Sequence, residues 1–286
     1  MTTQTKKHNW IARLLRMLLL IIIVWLLWIA AVWSLQHRIM FPRGMIEDYR
    51  IMKSTPPGIE SIWLDTADGN RVEAWLMPAE GLEPDQPAPI VFFAHGNGEV
   101  IDDNLDLQWL AESGTAVALI EYRGYGRSSG SPSQRAIVAD TVQLVEQILK
   151  RTDIDETRVG YLGRSIGTGV LSQVARTHPP NAMAMIVPPA RLDTMAWKFG
   201  VPPFMVRSPF RTDLAVQEVD MPILILTRDR DQIIPPQHAS MLDQLAPDSR
   251  LVTLRGTHNW LDDDDEMRRE RAEIRQFLEA HDIVTR

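Results

Sequence analysis

Arg158-Val159-Gly160-Tyr161-Leu162-Gly163-Arg164-Ser165-Ile166-Gly167 decides how this chain folds. Arg158 to Leu162 reads as a short buried strand, and Ile166 to Arg176 as a helix with apolar positions at i, i+4 and i+8. Between them, Gly163-Arg164-Ser165-Ile166-Gly167 fits G-x-S-x-G, a strained strand-to-helix turn with a serine at its apex. The residues two before and two after the serine must be small, because the chain doubles back there. Bulkier side chains would strike the neighbouring strand and helix, and the hydroxyl would lose its exposed position. The pattern is short enough to arise by chance, so its surroundings must carry the reading.

Outward from this turn the chain alternates strands and helices. Ser61–Thr66 and Val72–Met77 flank Asp68-Gly69-Asn70, a turn signal, and read as an antiparallel hairpin. Ile90–Ala94 is a continuous apolar run, as in a strand buried on both faces. Strands at 116–121, 184–187, 223–227 and 251–254 alternate with helices near 106–112, 136–151, 238–245 and 266–280. Repeated βα units predict an α/β fold with a mostly parallel sheet and helices on both faces. Residues 188–220 break the alternation, with five prolines among Trp197, Phe199, Phe204 and Phe210. They read as a small apolar cap insertion over a substrate pocket.

The 286 residues suffice for one sizeable α/β domain and an appendage. The absence of cysteine excludes a disulfide scaffold, a thiol nucleophile and thiolate metal sites. Net charge is −7, unevenly spread: residues 1–58 carry eight Lys/Arg against two acids, and the rest 22 against 35. An acidic domain argues against nucleic-acid binding. Met17 to Leu35 holds 19 residues without a charge, long enough as a helix to span about 28 Å of bilayer. A signal peptide would have a shorter apolar core and a smaller cleavage site than Val32-Trp33-Ser34. The expected organisation is a cytoplasmic basic tail at 1–16, a transmembrane anchor at 17–35, a linker at 36–58 and the domain at 59–286. The acid-free tail places the domain outside the cytoplasm, which in a bacterium is the periplasm. In the linker, Met40, Phe41, Met45 and Ile46 either rest on the lipid surface beside basic residues or pack on the domain.

A serine hydroxyl needs a base within hydrogen-bond reach, and the base is usually a histidine oriented by a carboxylate. His258, in Gly256-Thr257-His258-Asn259 after the last strand, is the best-placed base. His95 reads as a strand-end residue bonded locally, and His238 as structural. Asp229 and Asp231 both follow the 223–227 strand, and Asp231, where the chain turns away from the sheet, is favoured as the carboxylate. The turn His95-Gly96-Asn97-Gly98 offers the amide of Asn97 as one oxyanion donor, and the amide of Ile166 is the second. Gly124, Gly126 and Gly130 miss the dinucleotide spacing, and Asp262–Asp265 lacks the spaced ligands of a calcium loop, so neither cofactor nor metal is expected.

Together, His95-Gly96-Asn97-Gly98, Glu121 through Ser128, the turn at Ser165, Asp231 through Pro235 and Gly256 through Asn259 resemble the α/β-hydrolases. Within them, the chain is similar to membrane-anchored serine hydrolases: bacterial esterase-like proteins, and eukaryotic lysophospholipases and protein depalmitoylases. The resemblance spans 59–284. It implies a triad of Ser165, Asp231 and His258, oxyanion donors at Asn97 and Ile166, and an acyl ester or thioester substrate, lipid-like substrates included. Three departures stand out. Glu121 opens a motif that usually begins with Asp, Arg228 stands where relatives place glycine, and Pro188-Pro189-Ala190-Arg191 replaces a stretch bordering the acyl pocket. A serine peptidase of the prolyl-oligopeptidase type and a non-catalytic anchored scaffold are the alternatives.

Overall fold

The structure, a computed structural model, describes residues 3–83 and 85–284, and of residues 3–9, 45, 49, 198 and 199 the backbone alone. Among the described residues the strands are β1 (Glu60–Asp65), β2 (Arg71–Met77), β3 (Ala88–Ala94), β4 (Ala116–Ile120), β5 (Ile154–Arg164), β6 (Ala182–Ile186), β7 (Ile223–Arg228) and β8 (Ser249–Leu254). The α-helices are α1 (Thr3–Met40), α2 (Gln108–Ala111), α3 (Gln134–Leu149), α4 (Ile166–Ala175), α5 (Thr212–Ala215), α6 (Gln237–Leu245) and α7 (Asp264–Ala280).

The strands form one sheet in the order β1-β2-β4-β3-β5-β6-β7-β8. β1 and β2 pair antiparallel, as does β2 with β4, and every later pairing is parallel. The expected mostly parallel sheet is therefore present. Its two faces follow from the period of two along each strand. Ile90, Phe92 and Ala94 of β3 join a cluster with Leu144 of α3 and Val170 of α4, whereas Val91 and Phe93 join Leu110 of α2 and Phe277 of α7. β3 is buried throughout, which explains its unbroken apolar run. After β3 the chain moves to β4 on one side, and after β5 to β6 on the other. The crevice at the carboxyl ends of β3 and β5 is thus a topological switch point, where open α/β sheets bind ligands.

The acids opening α7 are accounted for locally: Asp263 caps the helix by accepting from the Glu266 amide at 2.9 Å. Arg228, at the end of β7, is buried and pairs with Glu270 of α7. Residues 188–220 are short turns around Asp193–Phe199 and Pro203–Met205, followed by α5. They are tied by a bridge between Arg191 and Arg211, and Arg191–Asp193 and Arg211–Asp213 ion pairs accompany it.

The N-terminal helix contains a stretch, Trp10–Met40, long and apolar enough to cross a membrane. It has no Gly or Pro and continues through Met40, so the first five residues of the expected linker are helical. The lipid-surface alternative for the linker is corrected. Phe41 is buried with its ring 6.4 Å from that of Phe210, and Met40 and Ile46 pack against the core of the domain. Burying an aromatic ring in protein is available here because Arg43 and Arg50 hold the segment down, bonding the carbonyls of Gly130 (2.7 Å) and Gly98 (3.1 Å). The readings for the side chains of Met45 and Phe199 lie outside the described residues.

Candidate active site

Ser165 sits between β5 and α4 with φ +51° and ψ −120°, a conformation disfavoured for a residue with a Cβ. Its amide donates to the Ile186 carbonyl at 2.8 Å, which fixes the turn to β6. The flanking glycines answer to measurable contacts. A Cβ on Gly163 would lie 2.7 Å from the backbone of Thr168, and one on Gly167 2.0 Å from the Ala94 carbonyl oxygen.

His258 and Asp231 come to Ser165 from the loops after β8 and β7. The imidazole Nε2 lies 3.2 Å from Ser165 Oγ, and Nδ1 lies 2.6 Å from Asp231 Oδ2. The other carboxylate oxygen of Asp231 accepts from the amides of Ile233 (2.9 Å) and Ile234 (2.8 Å), so the buried carboxylate is fully occupied and aimed. Asp229 instead accepts from the Gly256 amide at 2.8 Å, and holds the loop that carries His258. Hydroxyl, imidazole and carboxylate thus stand in one line of hydrogen bonds, the order needed to move a proton from serine to histidine.

The turn after β3 is built around a buried cation. His95 has zero exposure, and its two ring nitrogens face two acceptors, the Gly96 carbonyl at 2.7 Å and Glu121 Oε1 at 2.8 Å. Only an imidazolium donates to both. Burial alone would depress its pKa, but the charge and hydrogen bond of Glu121, with help from the Gly96 carbonyl and Glu99, hold it above the ordinary value. The longer side chain of Glu121 makes this reach while also accepting from the Tyr122 amide at 3.0 Å. His95 is thus the locally bonded residue expected of it. Because a trans peptide is planar, a Gly96 carbonyl turned inward to His95 leaves the Asn97 N–H pointing the opposite way. Tyr125 Oη donates to the Asn97 carbonyl at 3.1 Å and steadies it further. Ile166 is the first residue of α4, so its N–H is one of the helix's unpaired donors. Neither amide has a hydrogen-bond partner among the described residues, and Asn97 and Ile166 both line the cavity that holds Ser165 and His258.

A folded-state pKa raised above the unfolded value stabilises fully below about pH 6.5 and loses that contribution as the pH climbs through the raised value. Thermal unfolding of wild type against Glu121→Gln should therefore show its largest difference at about pH 5–6, above the ordinary carboxylate range and below the unfolded-state imidazole value, shrinking towards alkaline pH. A gap that widens from about pH 6 upwards would contradict the imidazolium.

The cavity encloses about 950 Å³ and is walled mainly by apolar side chains. Leu192, Met195, Val201 and Met205 of the 188–220 segment form one side. Pro188–Arg191, expected to border the acyl pocket, contributes no lining side chain; the wall begins one residue later, at Leu192. Two contributors escape a reading of the motifs. Arg164 bridges the site, pairing with Glu99 at 3.3 Å and donating to the Asn259 carbonyl at 3.3 Å. The end of α1 supplies Val32, Trp33, Gln36, Ile39 and Met40, which share one face of the helix at i, i+1, i+4, i+7 and i+8.

Comparison with known proteins finds similar sequences and similar folds. A family model described as "Serine aminopeptidase, S33" matches residues 85–208. The α/β hydrolase domain-containing protein WAV2 of Arabidopsis thaliana is 30% identical over 203 residues, 64% of this chain. That match spans 65% of WAV2, a little under two thirds of its length. The uncharacterized protein YfhR of Escherichia coli K12 is 27% identical over 72% of this chain and 75% of its own. Among solved structures, the Pyrococcus furiosus esterase PF2001 superposes with a TM-score of 0.64 at 15% identity, covering 82% of this chain and 98% of the esterase.

Proposed function

We propose that the chain, which has the α/β-hydrolase fold and resembles α/β-hydrolases in sequence, is a serine hydrolase held in a membrane by α1, cleaving carboxylic esters or thioesters of amphiphilic acyl substrates. The observation that carries this reading is the line from Ser165 through His258 to Asp231, opening onto a largely apolar cavity. Ser165 Oγ attacks the acyl carbonyl while its proton passes to His258 Nε2. The amides of Asn97 and Ile166 donate to the oxyanion. Collapse of the tetrahedral intermediate breaks the bond to the leaving alcohol or thiol, which takes the proton from His258. Water then adds to the acyl-enzyme by the same route, releasing the acid and restoring Ser165. Asp231 holds the imidazole in the tautomer that accepts from serine.

The catalytic domain lies on the non-cytoplasmic side in this reading, since the tail preceding α1 is basic and acid-free. A charged, membrane-impermeant fluorophosphonate tests site and side together. Sealed vesicles with the periplasmic or luminal face outward should label in wild type and not in Ser165→Ala. Absence of label on folded, detergent-solubilised wild type would defeat the serine mechanism, and label only after solubilisation would reverse the orientation.

A peptidase is the second reading, favoured by the description of the matching family model. The acids that would bind a substrate amine are largely taken: Glu99 pairs with Arg164, and Asp103 pairs with Arg50. Matched ester, thioester and peptide substrates decide between the two, and faster peptide turnover would replace the esterase.

A further inference from the structure

We propose that the end of α1 is the acyl-binding wall of the active site, so that a long-chain monoacyl ester reaches Ser165 laterally from the leaflet without crossing water. The proposal rests on the hydrolase reading above and adds the substrate class and its route.

The helix passes without a break from the uncharged run at 17–35 into the cavity. Val32 and Trp33 lie within that run, Gln36, Ile39 and Met40 lie beyond it, and all five line the same cavity as Ser165. From Trp33 to Met40 the helix rises roughly 10 Å. One wall of the cavity therefore begins at hydrocarbon depth and ends beside the serine.

This part of α1 is fixed against the domain. Gln36 spans the joint with both ends of its amide, donating to the Met205 carbonyl at 3.3 Å and accepting from the Arg207 amide at 2.8 Å. The Arg207 guanidinium lies 5.2 Å from the Trp33 ring centre. A mere tether would have no need of a half-buried side chain bonded at both ends of its amide to the 188–220 segment.

The outer surface of the facing segment is apolar too. Trp197 is 62% exposed and Phe204 87% exposed, a costly arrangement in water that suits side chains at a membrane interface. The cavity thus has one polar end, at Ser165, His258 and Asn97, and an apolar length running towards the bilayer. About 950 Å³ is at the upper end of the ~300–1,000 Å³ of small-molecule sites, and one groove with one polar end takes one chain.

The test uses the full-length protein in phosphatidylcholine vesicles, with palmitoyl lysophosphatidylcholine as the long-chain probe and p-nitrophenyl butyrate as the short one. Val32→Trp and Ile39→Trp, which fill the groove from α1, should each lower the long-to-short ratio of kcat/KM by about tenfold or more. Leu27→Trp, on the face of α1 opposite the cavity-lining residues and 65% exposed, should keep the wild-type ratio. Two groove variants are used so that one failing to insert leaves the other informative. A wild-type ratio in both, with fluorophosphonate labelling intact, would overturn the lateral route and leave the serine mechanism standing. Loss of labelling in the wild type would overturn the hydrolase reading itself. Hydrolysis of dipalmitoyl phosphatidylcholine as fast as the monoacyl lipid would overturn the single-chain assignment.

Discussion

Ser165→Ala should lower kcat on a carboxylic ester about a million-fold, and Asp231→Asn about ten-thousand-fold, in proteins that fold normally. The alanine removes the attacking atom and leaves only binding and the two amides. The asparagine acts through the hydrogen-bond line. Its carbonyl oxygen can keep accepting from the Ile233 and Ile234 amides, as Asp231 Oδ1 does. That places its NH2 group against His258 Nδ1, which must then accept a hydrogen bond. The ring proton is forced onto Nε2, 3.2 Å from Ser165 Oγ, where a lone pair is required. The double variant should be no slower than Ser165→Ala alone, because residues that act as one unit are not additive. Asp229→Asn provides the contrast. Asparagine still accepts from the Gly256 amide, so kcat should stay within about threefold of wild type. Steady-state kinetics on purified protein, with circular dichroism to check folding, decides. Near-wild-type activity in Asp231→Asn would remove Asp231 from the mechanism.

What could be read from the sequence was local. The turn at Ser165, the strand ends bearing Asn97, Asp231 and His258, and the chain order of the three residues of the proposed triad each occupy a few contiguous residues with strict steric demands. Their convergence follows from the parallel sheet, since loops leaving the carboxyl ends of β3, β5, β7 and β8 share one edge. The contribution of α1 to the cavity lining was hidden for a physical reason. Met17 to Leu35 is apolar all round, so periodicity cannot mark the side turned to the cavity. Only past Ser34 do Gln36 and His37 break the pattern, and their partners, Met205 and Pro132, are far away in the chain. Glu121 was legible as a departure and no more. Its meaning depends on the distance to His95, which a one-carbon change in side-chain length decides.

Gly167→Ala tests the steric core of the turn and should be the most damaging single-methyl change in the domain. The new Cβ would stand 2.0 Å from the Ala94 carbonyl oxygen, 2.5 Å from its carbon and 2.8 Å from the His95 carbonyl oxygen. These are backbone atoms at the end of β3, so no rotamer change relieves the clash; either α4 lifts or β3 shifts. Movement of β3 displaces the turn that presents Asn97, and movement of α4 displaces the Ile166 amide, so the site is lost along with stability. About 4 kcal/mol or more is expected, placing it among the exceptional single substitutions. For a chain of this size that corresponds to a drop in Tm of roughly 8–16 °C. Gly163→Ala should rank below it, since its nearest contacts are the Thr168 backbone at 2.7 Å. Gly44→Ala meets nothing within 4 Å and should stay within about 0.5 kcal/mol of wild type. Thermal unfolding and fluorophosphonate labelling of the three variants give the ranking. A Gly167→Ala protein that melts with wild type would mean the turn accommodates a side chain, and the reason for glycine at the second position after the serine would fall with it.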